Sequence, residues 1–176
     1  MKTKKLILHV DDDQAMLDLV RNALQKRGYE VHSLYDPRLA LGALSEHSPQ
    51  VVILDIDMPG LDGLTLLRDI KQQQAGIHVV MLTGVVSMAT VLQATGLGAQ
   101  ECVFKPLKNL DDVGDAVDRC IANIDSWWDS LREWMDRKNA TPTPTPPSTP
   151  TPTPIPSPSI SAAKLLLHAV ARALTT

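Results

Sequence analysis

Short apolar runs alternate, from residue 6 to residue 124, with stretches in which apolar side chains recur every three or four positions. Leu6 to Val10, Val51 to Leu54, Val79 to Leu82 and Val103 to Phe104 are rich in β-formers and lack clean alternation, which predicts parallel strands buried on both faces. Tyr29 to Leu34 adds a fifth strand, expected at an edge. Helical spacing joins Met16, Leu19, Val20, Ala23 and Leu24, then Leu39, Ala40, Ala43 and Leu44, then Leu64, Leu67 and Ile70. Asp13, Asp36-Pro37 and Asp62-Gly63 supply the start signals and Gly28 a stop. Strands alternating with helices imply right-handed crossovers and an α/β fold, a doubly wound parallel sheet of five strands.

Helical spacing then runs unusually far, through Val113, Val117, Ile121, Ile124, Trp128, Leu131 and Met135, with Trp127 and Trp134 beside the stripe. All three tryptophans lie in this extension. They are expected to face a second copy, a partner or the domain's own flank. Beyond it the pattern stops. Of 13 prolines, nine fall between Pro142 and Pro158 in alternating Thr-Pro, with almost nothing apolar to bury. The predicted organisation is a folded domain over 1–139 and a Pro/Thr-rich flexible linker over 140–159, whose polyproline II conformation would reach up to about 60 Å. Over 160–176 a short amphipathic helical peptide follows, with Leu166, Leu167, Val170, Ala171 and Leu174 on one side and Lys164, His168 and Arg172 on another. Too short to be helical alone, it is expected to dock onto a partner or assembly, with membrane contact the lesser alternative.

Charge narrows the function classes. Residues 1–139 carry all 20 acidic groups against 15 basic ones, a net −5, and the tail adds Lys164 and Arg172. A mildly acidic domain without a helix-turn-helix pattern predicts no nucleic-acid partner. The apolar run after the basic start ends at Asp11, too early for an export signal, and no stretch reaches bilayer length. Cys102 and Cys120 lack metal-ligand spacing, so a reduced, cytoplasmic setting is expected.

Acidic and polar residues gather where the strands end. Asp11, Asp12 and Asp13 follow the first strand, Asp55 ends the third, Thr83 ends the fourth and Lys105 follows the fifth, and in doubly wound sheets this rim is where ligands bind. Carboxylates so close would repel one another unless a cation sat among them, and Mg2+ suits an all-oxygen site that can bridge to a phosphate. The chemistry supported is in-line transfer of a phosphoryl group to a carboxylate.

Val10-Asp11-Asp12, Leu54-Asp55-Ile56-Asp57-Met58-Pro59-Gly60, Asp62-Gly63, Leu82-Thr83-Gly84 and Lys105-Pro106, the last pair 22 residues after the threonine, together resemble the response-regulator receiver family over residues 4–124. The resemblance implies a flavodoxin-like sheet of order 2-1-3-4-5, a relative of which is a standard example of that order. It implies Asp55 as phosphoryl acceptor, Asp12 as a direct Mg2+ ligand, Asp11 acting mainly through water and Asp57 through its backbone carbonyl. Thr83 and Lys105 would each engage a phosphoryl oxygen, and Lys105-Pro106 would be cis. Two departures stand out. Cys102 occupies a position commonly aromatic in the family, and Asp57 and Val85 occupy positions that tune phosphoryl lifetime there.

The expected function is that of a stand-alone phosphorelay regulator. A sensor histidine kinase or phosphotransfer protein phosphorylates Asp55, the altered surface switches binding to a downstream protein, and the tail fixes where this happens. No effector enzyme domain is expected, and the extended last helix is a candidate surface for a homodimer or another partner. The alternative of another class is a scaffold or assembly-targeted adaptor in which the C-terminal peptide is the functional element.

Overall fold

Five parallel strands in the order β2-β1-β3-β4-β5 form the centre of the computed structural model, which describes residues 5–84, 87–107 and 109–139. The elements are β1 (Leu6–Val10), α1 (Gln14–Lys26), β2 (Glu30–Leu34), a 3-10 turn (Pro37–Leu39) and α2 (Ala40–His47). They continue with β3 (Val51–Asp55), α3 (Gly63–Gln73), β4 (His78–Thr83), α4 (Met88–Gly96), β5 (Glu101–Phe104) and α5 (Asp111–Asn139). The register sets Ile53 beside His9 on one side and Val80 on the other, so β3 is central and its side chains are buried throughout. This is the doubly wound fold with the order and edge strand that the apolar runs and motifs imply. The linker expected over 140–159 and the terminal peptide expected over 160–176 fall outside the described residues, as does Val85.

Each face of the sheet carries its own core. Leu8, Val10, Leu54 and Met81 pack with Leu44, Leu67 and Ile70 under α2 and α3, whereas Ile7, Ile53, Val80 and Leu82 pack with Val20, Leu24, Val113 and Val117 under α1 and α5. Strict alternation of faces along each strand explains the continuous apolar runs. Asp13, Asp36 and Asp62 cap as expected, each accepting backbone N–H groups at a helical start, with Asp13 bonded to Ala15 and Met16. The sequence pattern missed α4, because only Ala94 of its nine residues is buried and no apolar stripe stands out.

Long-range ion pairs anchor α5. The Arg27 guanidinium reaches Asp111 and Asp115 at 2.8 Å and Asp118 at 2.6 Å, the Tyr29 hydroxyl donates to Asp118, and the Lys5 ammonium pairs with Asp125. A Cβ on Gly114 would lie 2.4 Å from the Arg27 guanidinium, so the absence of a side chain there admits the arginine.

Candidate functional site

Strand ends place the chemistry. Asp11 follows β1, Asp55 is the last residue of β3, Thr83 the last of β4, and Lys105 follows β5. Because the strands are parallel and in register, all four reach the same edge of the sheet, with Asp55 paired beside Leu82 and Thr83 beside Phe104. The Lys105 backbone N–H donates to the Thr83 carbonyl at 2.7 Å, extending the ladder just far enough to aim the lysine back over the sheet. The peptide bond between Lys105 and Pro106 is cis.

Asp11, Asp12 and Asp55 each offer a carboxylate oxygen within 4.8 Å of the others. The Lys105 ammonium donates to Asp11 Oδ2 at 2.9 Å and lies 3.2 Å from Asp55 Oδ1. Asp11 is fully buried, Asp55 and Thr83 nearly so, and Asp12 partly. Asp57 is exposed and lies outside this carboxylate group. The structure thus brings together Asp11, Asp12, Asp55 and Lys105, and sets Thr83 on the adjacent strand end.

Burial, reinforced by the negative charge of Asp11, pushes the Asp55 carboxyl above its usual range despite the opposing pull of Lys105. Burial alone would lower the Lys105 ammonium, but Asp11 and Asp55 outweigh it and raise it. Asp55 Oδ1 has no hydrogen bond of good geometry among the described residues, and the Lys105 ammonium 3.2 Å away is its ion-pair partner. An all-oxygen set that includes a buried carboxylate oxygen without a well-formed hydrogen bond fits a hard divalent cation with oxygen ligands. Mg2+ would be held here by Asp11, Asp12 and Asp55, and when bound it would supply positive charge against which phosphoryl oxygens are stabilised.

Two supporting residues shape the rim. Gly63 opens α3 so close to the acceptor strand that an added Cβ would lie 2.1 Å from the Asp55 carbonyl oxygen, and its N–H donates to the Ile56 carbonyl. The Asp62-Gly63 pair is therefore both a helix start and a spacing requirement for the site. His9, which the sequence reading passed over as one position of an apolar strand, is fully buried, has no hydrogen-bond partner among the described residues and lies 3.9 Å from Asp11. Burial, then Lys105 and Arg21, push it down to about 3, so it is neutral beside the acidic group.

A family model described as "Response regulator receiver domain" matches residues 7–118. The chain belongs to the response regulator receiver domain family. Chemotaxis protein CheY of Bacillus subtilis is 34% identical over 116 residues, covering 65% of this chain and 96% of that protein. Transcriptional regulatory protein FixJ of Bradyrhizobium diazoefficiens is 35% identical over 126 residues, covering 72% of this chain and 58% of its own length. Among solved structures, the CheY-like response regulator receiver domain protein of Methanospirillum hungatei superposes with a TM-score of 0.67 at 27% identity, covering 70% of this chain and 98% of that one. Two other curated relatives are much longer, and the chain spans 25% of each. Receiver domains of two-component systems bind Mg2+ at an acidic pocket and receive phosphoryl groups from histidine kinases or phosphotransfer proteins. Among the described residues no helix is long and apolar enough to cross a membrane.

Proposed function

We propose that this receiver is a working phosphoacceptor whose acceptor is Asp55, and that phosphorylation there switches its binding to another protein. The observation that carries the reading is the buried Asp55 Oδ1, without a hydrogen bond yet 3.2 Å from the Lys105 ammonium, at the edge where Asp11 and Asp12 converge. A carboxylate so placed is poised as a nucleophile. An Asp55 oxygen attacks the phosphorus of a phosphohistidine or acyl phosphate and forms an O–P bond. The bond from phosphorus to the donor nitrogen or oxygen breaks, and the leaving group keeps that electron pair.

The other residues act on the charge that moves. Lys105, held as an ammonium by two carboxylates, is ready to follow the phosphoryl oxygens once Asp55 carries the group. Thr83, at the next strand end, has a hydroxyl suited to donate to another of those oxygens. Asp12 would bind Mg2+ directly and Asp11 mainly through water, while Asp57, outside the carboxylate group, would contribute its backbone carbonyl. The proposed partners are a histidine kinase or phosphotransfer protein, a downstream protein that reads the altered surface, and a partner or assembly for the segment beyond residue 139.

Cys102 bears on the readout. It is half-buried in β5 and burial pushes its thiol up to about 11, so it serves as a small apolar group. Lacking a ring at this position, the chain is expected to signal by rearrangement around Thr83 and α4 rather than by swinging a large side chain. Treatment of the purified protein with acetyl phosphate and Mg2+, followed by intact mass, should add one phosphoryl group to the wild type and none to Asp55→Asn. Equal labelling of both would place the acceptor elsewhere.

A further inference from the structure

The face of α5 that packs on the sheet does not end with the sheet. Val113, Ala116, Val117, Cys120 and Ile121 are buried, and the same seven-residue spacing continues through Ile124, Trp127, Trp128, Leu131, Trp134 and Met135. Of these, Trp127, Trp128 and Trp134 are 74%, 55% and 50% exposed, against the rule that large apolar groups on a monomer stay scattered. At about 250 Å2 for a whole tryptophan side chain, these fractions leave on the order of 450 Å2 of aromatic surface per chain. Two such faces, with Met135 and Leu131 between them, reach the roughly 1,000 Å2 that a specific interface requires.

Charge selects the occupant and its direction. The first turns of the extension carry Asp125 and Asp129, whereas Arg132, Arg137 and Lys138 lie in its second half with Glu133 and Asp136. Two copies in parallel would set Asp125 against Asp125 and Asp129 against Asp129. Two copies running antiparallel about Leu131 set Asp125 against Arg137, Trp128 against Trp134 and Trp127 against Met135, at the cost of Asp129 against Glu133. Opposite charges at the outer pair and like charges at the inner one replace the like charges that a parallel pair sets at both positions, and the match suits a two-fold axis. At the root of the extension an open cavity of about 300 Å3 is lined by Pro49, Gln50, Gln74, Gly76, Ile77 and Ile124, and Ile124 is the residue that this register sets against Lys138. We propose that Ile124 to Lys138 is a homodimer interface in which α5 of one copy packs antiparallel on α5 of another.

The position of this face sets it apart from the phosphoacceptor site. Lys5, just before β1, pairs with Asp125, and the cavity is bordered by residues at the starts of β3 and β4. The interface therefore lies off the edge of the sheet opposite the carboxylate cluster, and both phosphoacceptor sites stay open to their donors. This proposal is independent of the phosphoacceptor reading.

Sedimentation equilibrium on the full chain tests it. The wild type should show twice the monomer mass, with and without acetyl phosphate, and the double variant Trp134→Glu/Met135→Glu should show the monomer mass while its circular dichroism stays that of the wild type. Direction is read by oxidative cross-linking against the parent chain as blank, whose thiols are held protonated by burial, Cys102 up to about 11 and Cys120 up to about 12. Lys138→Cys should cross-link with Ile124→Cys and not with itself. A monomeric wild type, which would leave the face to the residues after 139 or to a foreign protein, overturns the proposal. So does a dimer that survives the double variant, and self-cross-linking of Lys138→Cys overturns the antiparallel arrangement.

Discussion

At the rim of the sheet the chain buries charge, and along the end of α5 it exposes aromatic rings. Asp11 is fully buried and Asp55 is 3% exposed, whereas Trp127, far beyond the core, is 74% exposed. Each region inverts the usual partition of polar and apolar groups, and each inversion has a cost that packing within this chain does not recover. The rim keeps its carboxylates because the chemistry needs them concentrated. On the proposed dimer reading the extension keeps its rings because a surface that meets another copy has to be apolar before it is covered. Departures from the packing rule thus sort by sign: buried charge marks chemistry, and exposed aromatic surface marks association.

The comparison can be broken first at Gly63. Gly63→Ala forces a Cβ into the Asp55 backbone, and urea titration should show a loss of about 3 kcal/mol together with loss of acetyl phosphate labelling. Asp55→Asn should do the opposite to stability. A carboxyl whose folded value lies above its unfolded value stabilises the fold while protonated and loses that contribution as pH rises through the carboxylate range. A neutral isostere keeps it at neutral pH, so the variant should be more stable by about 1 kcal/mol while accepting no phosphoryl group.

Mg2+ sharpens the same point. At free Mg2+ about tenfold above its dissociation constant, thermal unfolding of the wild type should shift by about 1.4 kcal/mol, and Asp12→Asn or chelation should remove most of the shift. The contrast lies in the extension, where Trp128→Glu should change the stability of the dilute chain by less than about 0.5 kcal/mol, because the ring it removes packs on little of its own domain. A loss of several kcal/mol there would mean that the rings are core after all. The smallest effect concerns His78, whose Nδ1 is buried without a hydrogen-bond partner among the described residues and whose value is lowered by burial and then by Lys71. With the folded value below the unfolded one, its contribution is full above about 6.5 and is lost as pH falls below it. The melting temperature of the wild type should therefore drop more between pH 7.5 and pH 5.5 than that of His78→Gln.

How far these features could be read without coordinates varies from one element to the next. The strands were legible as apolar runs because a parallel strand covered on both faces has no polar side to interrupt it. The caps at Asp13, Asp36 and Asp62 were legible because capping is local chemistry. The carboxylates, Thr83 and Lys105 were legible as a group because parallel strands in register carry their ends to one edge. By contrast, α4 was not, since a helix that buries only Ala94 leaves no periodic trace. Arg27 was hidden for another reason, because its three partners lie 84 or more residues away.

By itself the sequence determined the period of each element, the direction of the sheet, the rim on which the acidic residues stand and the length of the last helix. These follow from properties each residue carries along the chain: branching at Cβ, side-chain polarity and capping capacity. Only the tertiary structure decided that Asp11 is fully buried while neighbouring Asp12 is not, that Asp55 retains an oxygen without a hydrogen bond, and that Gly63 sits too close to Asp55 for any side chain. It also decided that one continuous seam of α5 is core as far as Ile121 and surface from Trp127 onward. Periodicity says which side chains share a face; what that face meets depends on where the sheet ends, and that is set by the packing of every strand at once.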